Sequence, residues 1–199
     1  MPAKFLSRRD VLKSLSMGVV AGSVLRVIPV EAAEYAHHMV QAEKAAAPGG
    51  AYKPKFFTDH EYKTLKALCQ AILPPDGNTG GAIEAGAPEF IDLLTSENPE
   101  YQLKLRGGMM WLDGACTDRF GKTYLESPAD AQKQILDLIA YRKNILNDPG
   151  LSQGVEFFSF LRNLTADGYF TSEVGIKDLG YIGSKYLKEF PGCPPVPET

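Results

Sequence analysis

Residues 154–183, GVEFFSFLRNLTADGYFTSEVGIKDLGYIG, join the most apolar helical pattern in the chain to its least helix-like motif. In a helix beginning near Leu151, the polar residues Ser152, Glu156, Ser159 and Asn163 recur at helical spacing and make a single wet stripe. Val155, Phe157, Phe158, Phe160, Leu161 and Leu164 cover the remaining sector, so wide that the helix should be buried against several neighbours as the central packing element. Gly168 is the expected left-handed stop. Beyond it, Tyr169-Phe170-Thr171-Ser172-Glu173 sets two aromatics, two hydroxyls and a carboxylate where regular structure should have ended, the kind of segment that carries binding residues.

The flanking sequence reads as further helices. Thr58 as N-cap with Glu61 three residues on forms a capping box, and Phe57 with Tyr62 is placed as a staple. That helix shows an apolar face through Tyr62, Leu65, Leu68 or Cys69, and Ile72, and Pro74-Pro75 ends it. The following Asp76-Gly77-Asn78-Thr79-Gly80-Gly81 is a flexible loop that shares only its glycines with phosphate-cradling loops. Pro88 suits the first turn of a helix over Glu89–Thr95, and Asn98-Pro99 opens another to Phe120, with Gly121 as its stop and Gly107-Gly108 loosening it by about 1 kcal/mol per glycine. Trp111 and its neighbouring methionines read as core rather than as a cofactor box. Ser127-Pro128-Ala129-Asp130 starts a helix whose face carries Ile135, Leu138, Ile139 and Arg142, and Asn147-Asp148-Pro149-Gly150 breaks it. No window sustains the alternation of a half-buried strand. The fold class is therefore all-α, a bundle of about five helices over residues 56–168.

Composition narrows the function classes. The chain has 199 residues, 44% of them hydrophobic, enough for one domain with tails. A net charge of −3 from 21 basic and 24 acidic residues, without long charge runs, leaves no electrostatic footprint for nucleic acid. Cys69, Cys116 and Cys193 are too dispersed for a disulfide scaffold, and neither CxxC nor CxxCH occurs. The histidines are His37, His38 and His60, the first two in a segment that reads as removable or disordered, so no His-rich metal site is expected.

Residues 1–33 read as an export signal: a basic start, an apolar run from Leu15 to Val30 rich in Gly and Ser, then Ala32 and Ala33. Ser7-Arg8-Arg9-Asp10-Val11-Leu12-Lys13 matches the twin-arginine consensus, with Val11 where an aromatic is usual. The run is shorter than the roughly 20 apolar residues of a membrane span and Arg26 interrupts it. Residues 34–55, rich in Ala, Gly, Pro and Lys, read as a linker. After Gly183 the chain carries Tyr186, Leu187, Phe190, Cys193 and four prolines, an irregular extension expected to dock on this domain or on a partner.

Several segments together carry a resemblance. Phe56-Phe57-Thr58, Ala71-Ile72-Leu73-Pro74, Gly86-Ala87-Pro88-Glu89-Phe90-Ile91-Asp92, the run Gly108–Asp113, Phe120-Gly121-Lys122, Gly168-Tyr169-Phe170-Thr171-Ser172-Glu173-Val174-Gly175 and Leu179-Gly180-Tyr181 occur in an order that resembles the gluconate 2-dehydrogenase subunit 3 family. The resemblance implies a small, non-catalytic accessory subunit. Its partner would be a large FAD-dependent flavoprotein of the glucose-methanol-choline type, oxidising sugars, sugar acids or glycosides in the periplasm, with haem c in a possible cytochrome c subunit. It also implies that Ser7, Arg8, Arg9, Leu12 and Lys13 address this chain, and through it the flavoprotein, to the twin-arginine export machinery, with membrane association through the complex or an uncleaved signal. The family motif falls on Tyr169, Phe170, Thr171, Ser172, Glu173, Gly175, Leu179 and Tyr181, the expected contact with the large subunit. Equally, Tyr169 and Phe170 can close the end of the bundle while Ser172 and Glu173 cap a short helix beginning near Val174.

Two other classes compete. Glu173 and Asp178 could form an acid–base pair on a sugar, making the chain an enzyme in its own right. A solitary periplasmic binding or structural module would also use a wide apolar helix and a proline-rich tail. With an oxidising destination, at most one intramolecular disulfide can form, and Cys193 is its expected participant. Cys69 and Cys116 lie on apolar faces as buried thiols.

Overall fold

Seven α-helices and no strand make up the described residues of the computed structural model, which are 28–76, 79–181 and 183. In chain order they are α1 (Val30–Ala46), α2 (Asp59–Ile72), α3 (Ala87–Glu97), α4 (Pro99–Phe120), α5 (Ala129–Ile139), α6 (Ser152–Phe170) and α7 (Glu173–Asp178). Short 3-10 turns occupy Pro48–Gly50, Arg142–Leu146 and Pro149–Leu151.

The wide apolar sector of α6 is buried as its pattern requires. Val155, Phe157, Phe158, Leu161 and Leu164 are all in the core, and the helix packs against α2, α3, α4, α5 and α7. Glu156 and Asn163 of the wet stripe are exposed, with Ser152 and Ser159 half-buried. Close approach to α4 depends on two glycines. A Cβ on Gly108 would lie 2.0 Å from the Phe157 ring, and one on Gly154 would lie 2.2 Å from the Trp111 ring. Gly108 thus admits a neighbour's aromatic ring into the helix surface, a role different from the loosening expected of it.

The local start and stop signals operate as read. Thr58 and Glu61 form a complete capping box on α2. Asn98 Oδ1 accepts from the amides of Glu100 and Tyr101 at the start of α4, and Gly121 ends that helix at φ 72°, a left-handed conformation that favours glycine.

Three readings are corrected. The segment expected to be linker, together with the end of the expected signal, carries α1, which docks on α3 through Ala32, Ala33, Ala36 and Val40. Gly168 does not stop the central helix, which runs to Phe170. It lies where α6 meets α3, and a Cβ there would sit 2.9 Å from the Phe90 ring. Finally, α5 ends at Ile139, before Arg142; the five helices expected over residues 56–168 are α2–α6, with α1 and α7 lying to either side of them. The expected signal residues Ser7, Arg8, Arg9, Leu12 and Lys13, the tail from Tyr186 onward and Cys193 lie outside the described residues.

Candidate partner-binding face

The motif after α6 divides its residues between construction and display. Tyr169 and Phe170 are consecutive in the last turn of a helix, so about 100° of rotation separates their side chains. Tyr169 turns inward and is 5% exposed, whereas Phe170 is 42% exposed, with the two rings edge to face at 5.1 Å. The Tyr169 hydroxyl donates to Asp178 Oδ2 at 3.1 Å, tying the end of α6 to the end of α7. Burial first, and the bonded Asp178 carboxylate with it, hold the Tyr169 phenol above its usual pKa.

Ser172 makes the corner. It is buried, donates its hydroxyl to the Tyr169 carbonyl at 2.6 Å and accepts from the Gly175 amide at 3.1 Å, so one side chain closes α6 and N-caps α7. Gly175 has no space for a side chain, since a Cβ would lie 2.1 Å from the Tyr169 carbonyl oxygen. Thr171 donates to the Asp167 carbonyl at 2.6 Å and pairs with His37 Nε2 at 2.9 Å. Because the hydroxyl proton is committed to Asp167, His37 Nε2 is the donor in that pair.

The corner displays several large apolar side chains beside the charged Glu173, Lys177 and Asp178. Leu179 and Tyr181 are each 61% exposed, and Ile176 and Phe170 join them, while Glu173 is exposed in the first turn of α7. Of the expected contact residues, Phe170, Glu173, Leu179 and Tyr181 therefore point outward. Tyr169, Ser172 and Gly175 build the corner, as the capping alternative requires. Thr171 is half-buried and engaged with α1. Asp178, offered as one half of an acid–base pair, is occupied by the Tyr169 hydroxyl.

Two residues of consequence were not singled out in the sequence. His37, placed in a removable or disordered segment, stacks on Phe90 at 4.9 Å and bonds Thr171, and burial with His38 nearby holds its pKa below the usual value. Asp92 is fully buried and accepts four hydrogen bonds: Tyr52 Oη and the Lys55 amide on Oδ2, the Phe56 and Phe57 amides on Oδ1. The signal that could have found it is one acid inside the apolar run Phe90-Ile91-Asp92-Leu93-Leu94, where an unpaired charge would be prohibitive. Asp167, half-buried on α6, is pushed up to about 6 by burial.

Among the described residues no group of three or more His, Cys, Asp or Glu side chains is placed to hold a metal ion, and no helix is long and apolar enough to cross a membrane. Cys69 and Cys116 are buried free thiols, pushed up by burial to about 12 and about 11.

Residues 59–192 match the family described as Gluconate 2-dehydrogenase subunit 3. The chain belongs to the gluconate 2-dehydrogenase subunit 3 family. No curated protein and no solved structure matches it. The subunit 3 match takes in α2 through α7, including the whole corner motif, and begins after α1. A subunit 3 protein belongs to a multi-subunit dehydrogenase complex, so an apolar display at the end of the bundle has a setting in which to be covered.

Proposed function

We propose that this chain is the non-catalytic small subunit of a periplasmic FAD-dependent dehydrogenase of the glucose-methanol-choline type, acting on sugars, sugar acids or glycosides. It binds the large flavoprotein through the face carrying Phe170, Ile176, Leu179 and Tyr181, and assists its folding and its export by the twin-arginine route. FAD belongs to the large subunit, and haem c to a cytochrome subunit where one is present. The observation that carries the reading is the division of labour in the family motif: Ser172 and Gly175 are consumed in building a corner that leaves Phe170, Ile176, Leu179 and Tyr181 exposed. A solitary module has no use for such a display, which costs solubility unless covered.

The test is co-expression of the full chain with a large flavoprotein subunit of the glucose-methanol-choline type from the same genome, followed by native purification. The wild type should bring down a yellow complex. Leu179→Asp should abolish it, because a charge buried without a partner at an interface typically lowers affinity by a hundredfold or more. A second exposed apolar position, Leu103, is 77% exposed and borders a groove of about 430 Å³ between α4 and α6, so Leu103→Asp serves as the comparison. Loss of the complex in Leu103→Asp with retention in Leu179→Asp would move the interface to that groove. Replacing Arg8 and Arg9 with lysine should leave both proteins in the cytoplasm, and normal periplasmic activity in that variant would refute the shared export route.

A further inference from the structure

The residues that most resemble a signal-peptidase site, Ala32 and Ala33, do not lie in an extended tail. Both are inside the first turns of α1, at 3% and 0% exposure, and Ile28 ahead of them is also in the core. Their amides donate to the Pro29 carbonyl at 2.9 and 3.0 Å. Four residues beyond Ala33, His37 stacks on Phe90 and donates to Thr171, and Lys44 near the end of the helix reaches the buried Glu89 carboxylate at 3.2 Å. A peptidase takes its substrate extended, with the backbone groups around the scissile bond free to pair with the enzyme. Here those groups are turned into a helix whose small side chains are pressed against α3.

We infer that α1 is retained in the mature subunit and that any cut made during export lies N-terminal to Ile28. This rests on the export reading above: the twin-arginine route carries folded proteins, so that α1 is docked before a periplasmic peptidase can meet it. The retained helix has a task at the corner motif. Through His37 it supplies the only described side-chain donor to Thr171 from outside α6 and α7, and through Lys44 it supplies the cation beside Glu89, whose Oε2 has no hydrogen-bond partner. A cut after Ala33 would remove Ile28, Ala32 and Ala33 from the core and leave the remaining helix to fray toward His37.

Two measurements decide the matter. The intact mass of the protein recovered from the periplasmic or membrane fraction should correspond to an N-terminus at or before Ile28. An exported chain beginning at Glu34, or anywhere from Val30 to Ala46, overturns the inference. Full-length chain confined to the cytoplasm refutes the export reading instead, and the second measurement then stands alone. Purified full-length chain is incubated in detergent with signal peptidase beside Ala36→Asp, which sets a carboxylate on the buried face of α1 outside the residues the peptidase reads. The wild type should be cut after Ala33 at least about a hundredfold more slowly than the variant, because cleavage must wait for a rare local opening. Equal rates of cutting after Ala33 in the two chains would overturn the inference.

Discussion

Replacing Asp92 with asparagine removes one oxygen and leaves the shape of the side chain nearly unchanged, so its cost reads out the carboxylate alone. Each oxygen of Asp92 accepts two hydrogen bonds, at 2.9 and 2.7 Å on Oδ2 and at 3.1 and 3.1 Å on Oδ1. An amide nitrogen in place of Oδ1 would face two backbone N–H donors, whereas in place of Oδ2 it faces the Lys55 N–H alone, because the Tyr52 hydroxyl can turn and accept. The asparagine therefore keeps its oxygen on Phe56 and Phe57 and loses the bond from Lys55, about 1.5–3 kcal/mol for a bond to a charged acceptor, while the surviving amide bonds are made to a neutral one. The expected destabilisation is about 2–4 kcal/mol, a large share of the 5–15 kcal/mol typical of a domain. Urea unfolding of the full chain should show the midpoint falling with little change in slope. Amide hydrogen exchange should accelerate first at Lys55, Phe56 and Phe57, since these residues hold the chain between α1 and α2 against α3. A loss below about 1 kcal/mol, or exchange unchanged at those three amides, would refute the assignment of Asp92 as the anchor of that segment.

Other expectations follow from single contacts. Gly175→Ala should cost about 2–4 kcal/mol, because the obstructing atom is the Tyr169 backbone oxygen at 2.1 Å and cannot swing aside, whereas Gly114→Ala, with nothing within 4 Å, should stabilise α4 by about 0.5–1 kcal/mol; calorimetry of the pair checks both. Asp167 has its pKa raised to about 6 by burial, so the folded state holds its proton more tightly than the unfolded chain and stability is lost as pH rises from about 4 through about 6. Asp167→Asn should therefore gain about 1 kcal/mol at pH 7, after discounting for partial exposure, and almost nothing at pH 3.5; an equal gain at both would exclude titration as the cause. Cys69 and Cys116, with thiols raised to about 12 and about 11 by burial, should resist a thiol reagent at pH 8 until denaturant is added, and prompt labelling of either in the native chain would contradict its burial.

Where a structural choice is made by atoms close together in the chain, it is legible in the sequence. Thr58 and Glu61 start α2, Asn98 and Gly121 bound α4, and the apolar circumference of α6 announces its central place, because caps and periodicity act within a turn or two. The resemblance to subunit 3 proteins was legible in the same way, as short segments in a fixed order. Which motif residue faces out was not. Tyr169 is inside and Phe170 outside because the helix runs two residues past Gly168, which lies against Phe90 across the bundle, a residue far away in the chain. For α1 the reason is different: its buried stripe is mostly alanine, which hydropathy does not separate from the exposed alanines that follow it, so only the presence of α3 shows which of them are core. The use of Asp92 likewise depends on four donors arriving from residues 52–57, a convergence that no local pattern encodes. The sequence by itself thus determined helix type, most helix boundaries and family. Only tertiary packing decided that the alanine-rich segment belongs to the core, how Asp92 is satisfied and which side of the corner motif is left exposed, because each depends on surfaces brought together from distant parts of the chain.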